Sequence, residues 1–286
     1  MFPQCKRIFT VTGVCLGSFI VPVANAALVP WTGSADYLAA PGASGDEDLV
    51  GPFNSYDFAS GGVVLIKPDS ISTPGSYTVG DTYHGYYQSY VTSHMLGTSA
   101  VASPNLNSSG SGAGYELTIA ADFSQTVVGV DAFGNPTFSV TGGGASIYFD
   151  TTPDYNFATD SGFTTGGAIL TGSITGGGGS YLNNLGVGAN GIDLTVAALG
   201  FDPAVYSPAT IAGGTGVFTL HLNPGGVANV NSVMTNAVSA NDLLLLADGN
   251  LDLMAVPLPT SLLLLGSALV GLSTVRRHNF GQPSAA

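Results

Sequence analysis

Residues 81–90, Asp-Thr-Tyr-His-Gly-Tyr-Tyr-Gln-Ser-Tyr, hold the chain's densest mixture of aromatic and hydrogen-bonding side chains. Read with the two-residue period of a strand, they put His84, Tyr86 and Tyr90 on one face and Tyr83 and Tyr87 on the other. Tyrosine rings with polar tips suit sugar-binding surfaces and wet interfaces, and they suit ordinary strand packing as well. Hard oxygen donors gather in two further places, at Asp46, Glu47 and Asp48 and at Asp248, Asn250 and Asp252. The second run opens like a calcium loop, Asp-x-Asn-x-Asp, then departs from it. Leu253 stands at the sixth position, where glycine is needed, and Pro259 at the twelfth, where glutamate is needed. An EF-hand is thereby excluded, and calcium bridged loosely by an acidic surface is the only cofactor the sequence suggests.

Catalytic chemistry finds little support. Histidine occurs at 84, 94, 221 and 278 only, and no Gly-x-Ser-x-Gly elbow is present. His221 falls in an alternating run and reads as a strand-face residue. The glycine runs 141–144 and 176–179 neither open a helix nor precede a P-loop lysine, so they read as flexible loops rather than phosphate cradles. No catalytic residue is assigned, and the expectation is a protein that is not an enzyme.

Charge narrows the partners. The chain carries 18 acidic and five basic residues. Lys6, Arg7, Arg276 and Arg277 lie at the ends, leaving Lys67 alone against 18 carboxylates in 27–255, or 17 net negative charges. Such a surface repels nucleic acid and anionic lipid and favours cations or neutral partners. Forty-five percent hydrophobic content and few charged residues overall still allow a packed core.

The elements that would position these side chains are strands. Tyr115, Leu117, Ile119, Ala121 and Phe123 alternate with Glu116, Thr118, Ala120 and Asp122, the pattern of a half-buried strand. Short runs of the same kind recur at 62–66, 126–130, 137–140, 145–149, 168–174, 192–199 and 217–222, between Gly, Asn, Pro and Ser clusters. Residues 133–136 and 247–250 read as tight hairpin turns, the second joining 243–246 to 251–255. A modest helix is expected at 232–240. The fold class that follows is all-β, a single antiparallel β-sandwich or jelly-roll-like domain over 27–255.

Both ends carry addresses. Lys6 and Arg7, the apolar run 8–21 and the small-x-small pair Ala24 and Ala26 describe a secretory signal peptide over 1–26, cut before Ala27. Cys5 and Cys15 leave with it, so the mature chain has no disulfide, thiolate ligand or cysteine nucleophile. Val14 sits where a lipobox needs a small residue, which rejects lipidation. At the other end, 260–275 is apolar on every side. As a helix it would reach roughly 24 Å, short of the roughly 30 Å hydrocarbon core, with Arg276 and Arg277 held on the cytoplasmic side.

Val256-Pro-Leu-Pro259, the apolar helix and Arg276-Arg277 together resemble the three-part sorting signal of PEP-CTERM proteins of Gram-negative bacteria. The signal spans 256–278, and 279–286 form a short tail beyond the usual basic end. The resemblance implies Sec export, transient retention at the inner membrane by the transmembrane helix, and processing near Pro257 and Pro259 by an exosortase, an intramembrane cysteine peptidase. Leu258 replaces the glutamate that names the family, which leaves the cut site open.

In the body, Gly62-Val-Val-Leu-Ile-Lys-Pro68, Gly85-Tyr-Tyr-Gln-Ser-Tyr90, Pro104-Asn-Leu-Asn-Ser-Ser109, Tyr148-Phe-Asp-Thr-Thr-Pro153 and Ala247-Asp-Gly-Asn-Leu251 resemble the flocculation-associated members of this group. That likeness implies a cell-surface or extracellular-matrix protein acting with exopolysaccharide in flocculation and biofilm formation, without a catalytic residue. Two other readings stay open: a secreted polysaccharide-active hydrolase, and a membrane-tethered carbohydrate- or calcium-binding module.

Overall fold

The computed structural model describes residues 27–73, 76–108, 114–180, 190–221 and 229–256. Within them the chain forms β1 (Val29–Pro30), β2 (Gly33–Asp36), β3 (Leu49–Phe53), β4 (Ser55–Phe58), β5 (Gly62–Ser70), β6 (Thr82–Leu96), β7 (Ser99–Val101) and β8 (Glu116–Val130). There follow β9 (Pro136–Asp150), β10 (Gly167–Ser180), β11 (Asn190–Phe201), β12 (Tyr206–Ser207), β13 (Ile211–His221), β14 (Ser232–Val233), β15 (Asn236–Ala237) and β16 (Leu243–Ala255). A single 3₁₀ turn, Tyr37–Ala39, is the only helical element among the described residues. The all-β, antiparallel expectation is met.

The layout differs from a sandwich. Strands β16, β13, β11, β10, β9, β8 and β6 pair antiparallel in that order, and β4 with β5 fills the gap between β6 and β16. The sheet therefore closes into a barrel-like ring of eight strand positions, built largely from successive hairpins, rather than two facing sheets or the Greek keys of a jelly roll. Closure removes the free edges that so long a sheet would otherwise expose. At eight positions the interior is just wide enough to be filled by side chains. Leu117, Ile119, Ala121 and Phe123 point inward into the core, while Glu116, Thr118, Ala120 and Asp122 lie on the outside. A second, smaller apolar cluster, Val63, Leu65 and Val233, lies apart from this core. A small, mostly apolar-lined cavity of about 30 Å³ remains beside Ala121, Leu170, Val196 and Leu251.

Several sequence expectations are corrected. Residues 247–250 are no turn: β16 runs unbroken through them, with Leu245, Ala247, Leu251 and Leu253 buried and Asp248 and Asp252 exposed. Its period-2 pattern and pairing on both edges override the local Asp-Gly turn signal. The helix expected at 232–240 is the small hairpin β14–β15. Its two turn residues, Met234 and Thr235, have φ of 49° and 64°, and their N–H groups donate to the Asp160 carboxylate. Thr141 with glycines 142–144, and glycines 176–179, are strand residues of β9 and β10. The expected hairpin at 133–136 is present, linking β8 to β9 around the Asp131 carboxylate, which accepts the N–H groups of Phe133 and Asn135.

One rim is plugged by aromatic side chains beneath the small sheet β12–β2–β3. Tyr206 and Tyr37 each hydrogen-bond through their hydroxyls to the Tyr56 hydroxyl, at 2.8 and 3.2 Å. The Tyr37 hydroxyl also meets His94 Nε2 at 2.6 Å. Trp31, Phe53, Tyr115 and Phe149 pack their rings around this chain of contacts. Burial holds the His94 imidazole down to a pKa of about 3 and pushes the three phenols up, so the network is neutral. Both ends of the folded domain leave from this rim, since Val29 pairs with Ala255 and Pro30 with Met254.

Candidate functional site

Strand β6 divides its tyrosines. Tyr83 and Tyr87 point inward, where Tyr83 meets Tyr77 and Phe138 and Tyr87 meets Phe58. They are core residues and belong to no outer surface. Tyr90 faces outward but stacks on Tyr155 with ring centroids 4.1 Å apart, covered by the loop that follows β9. Two of the five residues singled out in 81–90 therefore keep part of their surface open outside the barrel, His84 and Tyr86, the Tyr86 ring also packing against the outer apolar cluster of Val63, Leu65 and Val233.

Register gives these two their neighbours. His84 lies opposite Lys67 on β5 and Ser124 on β8, and Tyr86 lies opposite Leu65 and Asp122. The His84 and Tyr86 rings are 4.6 Å apart. His84 Nε2 stands 3.5 Å from Asp122 Oδ2 and Nδ1 stands 3.3 Å from the Ser124 hydroxyl. The side chains of His84 and Asp122 keep 25% and 44% of their surface open, enough for a ligand to reach both. Lys67 is tied down by the Asp242 carboxylate at 2.6 Å and the Ala237 carbonyl at 2.8 Å. Partial burial, then the Asp69 and Asp122 carboxylates, hold the Tyr86 phenol above its ordinary range, and Lys67 acts against them. The patch is aromatic, half-open and net acidic.

Beyond Asp122 the outer row carries only glycine and serine. The row continues to Gly144 on β9 and Ser173 on β10, with Gly142 in the next row beside Ser124. A methyl group on Gly144 would meet nothing closer than Asp122 Oδ1 at 3.5 Å, and one on Gly142 nothing closer than a carbonyl at 3.9 Å. Packing does not demand glycine at these two positions. Their effect is a flat strip of backbone along the acidic and aromatic wall, where a chain of rings can lie with polar groups at its edge.

Glu116, on the same outer side of β8, is excluded from this surface. The loop after β9 covers it, and its Oε2 accepts the N–H groups of Asp154 and Tyr155. Burial, against those hydrogen bonds, pushes its carboxyl up to about 7. It fastens a loop rather than facing a substrate.

The calcium candidates do not converge. Asp46 accepts the Ser44 hydroxyl, Glu47 the Gly45 N–H, and Asp48 the N–H and amide of Asn105. Asp248, Asn250 and Asp252 occupy alternate positions on the outside of β16, about 7 Å apart per step. No group of three His, Cys, Asp or Glu side chains able to hold a metal is found among the described residues.

Of the sorting residues, Val256 follows β16 and is exposed, and Ala27 begins the described chain. Ala24, Ala26, Pro257, Leu258, Pro259, Arg276 and Arg277 lie outside the described residues, as does the hydrophobic run 260–275. No helix among the described residues is long and apolar enough to cross a membrane.

Sequence reading missed Asp122 and Ser124 as partners of His84 and Tyr86. The alternation already placed Asp122 on the outer face. Only the β6–β8 register, which turns on long-range pairing, brings it beside Tyr86. Comparison with known protein families, curated proteins and solved structures gave no match.

Proposed function

We propose that this chain is an exported, non-enzymatic protein of the cell surface or extracellular matrix, a PEP-CTERM protein of the flocculation-associated kind. It adheres to exopolysaccharide and so promotes cell aggregation and biofilm. The observation that carries the reading is the outer row His84, Tyr86 and Asp122 beside the bare strip at Gly142 and Gly144. The position of that row adds support. Tyr86 lies opposite Leu65 and Leu65 opposite Leu244, eleven residues and roughly 35 Å along β16 from Ala255, at the rim where the chain ends emerge. A precursor held at the membrane by that rim presents its adhesive face outward. The adjacency of Val29 and Ala255 also suits a domain with a signal peptide at one end and a sorting helix at the other.

In this reading Lys6 and Arg7 direct export, Ala24 and Ala26 guide the first cut, and the exosortase acts near 256–259, leaving Arg276 and Arg277 behind in the membrane. The mature polyanionic barrel then enters the matrix. Intact-mass measurement of the protein recovered from the matrix of its native host tests this route. The expected species starts at Ala27 and ends within 256–259; a species retaining Arg276 and Arg277, found only in membranes, would replace matrix release with permanent tethering.

A further inference from the structure

The matrix reading leaves the polymer unspecified, and the surface chemistry narrows it. Between 27 and 255 there are 17 net negative charges, with Lys67 as the only lysine or arginine, and that ammonium is engaged by Asp242 and the Ala237 carbonyl. A polyuronate brought to the Tyr86 patch would meet Asp69 and Asp122 with no lysine or arginine free to compensate it. A neutral glycan would gain ring contacts from Tyr86 and draw nothing from the charge. A sugar bearing an ammonium group would use both. Its ring can lie on the aromatic face, and its cation is attracted by the ring and by the carboxylate one strand away.

Resting on the polysaccharide-adhesion reading above, we propose that the outer face around Tyr86, Asp122 and the Gly142–Gly144 strip binds a cationic amino-sugar polymer, one whose residues carry free ammonium groups. Three features make this more than general attraction to an acidic protein. Tyr86 and His84 form a ring wall with contact at 4.6 Å. Asp122 is held at a fixed place on that wall by its register with Tyr86 and its approach to His84. The strip beside it has no side chain at 142 or 144 and none is required there for packing, so successive sugar residues have a floor to lie on.

Glucosamine oligomers, fully N-acetylated oligomers of the same length and oligouronates serve as probes against the exported, processed protein at about physiological ionic strength, where long-range attraction is screened. The expected result is measurable binding of the glucosamine oligomer and weaker or no binding of the other two. Asp122→Asn and Tyr86→Ala each weaken it about tenfold, about 1.4 kcal/mol. Asp252→Asn removes the same charge from β16, away from the patch, and leaves binding within about twofold. Gly144→Thr fills the strip and lowers binding without lowering thermal stability, which separates loss of the surface from loss of the fold. Equal weakening by Asp122→Asn and Asp252→Asn would overturn the site in favour of diffuse attraction. Acetylated oligomers bound as tightly as glucosamine, and still sensitive to Tyr86→Ala, would overturn the amino-sugar assignment and leave polysaccharide adhesion standing. No binding of any of the three oligomers would count against both.

Discussion

Gly143→Ala is expected to destabilise the protein by about 3 kcal/mol or more, while Gly142→Ala and Gly144→Ala stay within about 1 kcal/mol and on the stabilising side. The three glycines are adjacent in sequence and play different parts. At Gly143 the backbone has φ of 151°, and a methyl group would stand 2.0 Å from the Asp122 carbonyl oxygen across the β8–β9 pair. The atoms it would strike, the Asp122 carbonyl and the Phe123 Cα, are main chain of the paired strand β8 and cannot move aside as a side chain could. Its neighbours face ordinary contact distances or open space, and alanine there would lower the entropy of the unfolded chain. Chemical denaturation of the three variants at equal pH reads the contrast directly. Equal losses at all three positions would mean that the β8–β9 register is not the one described.

His94→Ala carries the second large effect, a loss of about 3 kcal/mol or more. The ring sits among Phe53, Tyr56 and Tyr37, with centroid distances of 4.9, 5.2 and 5.5 Å, and its Nε2 pairs with the Tyr37 hydroxyl at 2.6 Å. Truncation leaves a cavity in the rim plug and takes from the buried Tyr37 hydroxyl the shorter of its two hydrogen bonds, leaving the one to Tyr56. The same ring gives a pH signature. In the folded state the imidazole pKa is held down to about 3 by burial, against 6.5 when free, so the unfolded chain binds the extra proton first. Its stabilising contribution is complete above pH 6.5 and is lost as the pH falls from there toward 3, at about 1.4 kcal/mol per pH unit. His94→Ala flattens that acid limb as well as lowering the plateau. A variant that kept the wild-type acid slope would place the titrating group elsewhere.

Alternation made most of the barrel legible in the sequence. The run 115–123 reads with the right residues inside, Leu117, Ile119, Ala121 and Phe123, although 126–130, which reads as a separate run, continues the same strand β8, and β5, β10, β11 and β13 were each marked by a short apolar run. What alternation could not give is where a strand changes phase. In β6 the odd residues from Tyr83 to Val91 face inward, then a bulge at Thr92 against β4 shifts the register, and His94 turns into the core although His84 lies outside. A second bulge, at Thr141, switches β9 from Phe138 and Val140 inward to Ile147 and Phe149 inward. Both glycine runs looked like loops because glycine is rare within strands. Here close approach of neighbouring backbone explains it at Gly143 and Gly178, and an open outer surface at Gly142, Gly144 and Gly176.

The functional patch was half legible for the same reason. Residues 81–90 announced an aromatic strand, and its two faces were read correctly. Which tyrosines stay outside depended on the covering loop that takes Tyr90, and which carboxylate joins them depended on the register with β8. The tyrosines of the rim plug, Tyr37, Tyr56, Tyr115 and Tyr206, are spread over 170 residues and share no local pattern. Only ring closure gathers them.

The most direct test of the adhesive role is to replace Tyr86 by alanine in the native host's own copy, verify that the amount of protein reaching the matrix is unchanged, and measure floc formation. The account predicts that aggregation falls to the level of cells lacking the protein. Aggregation equal to wild type, with the variant present in the matrix in normal amount, would contradict it.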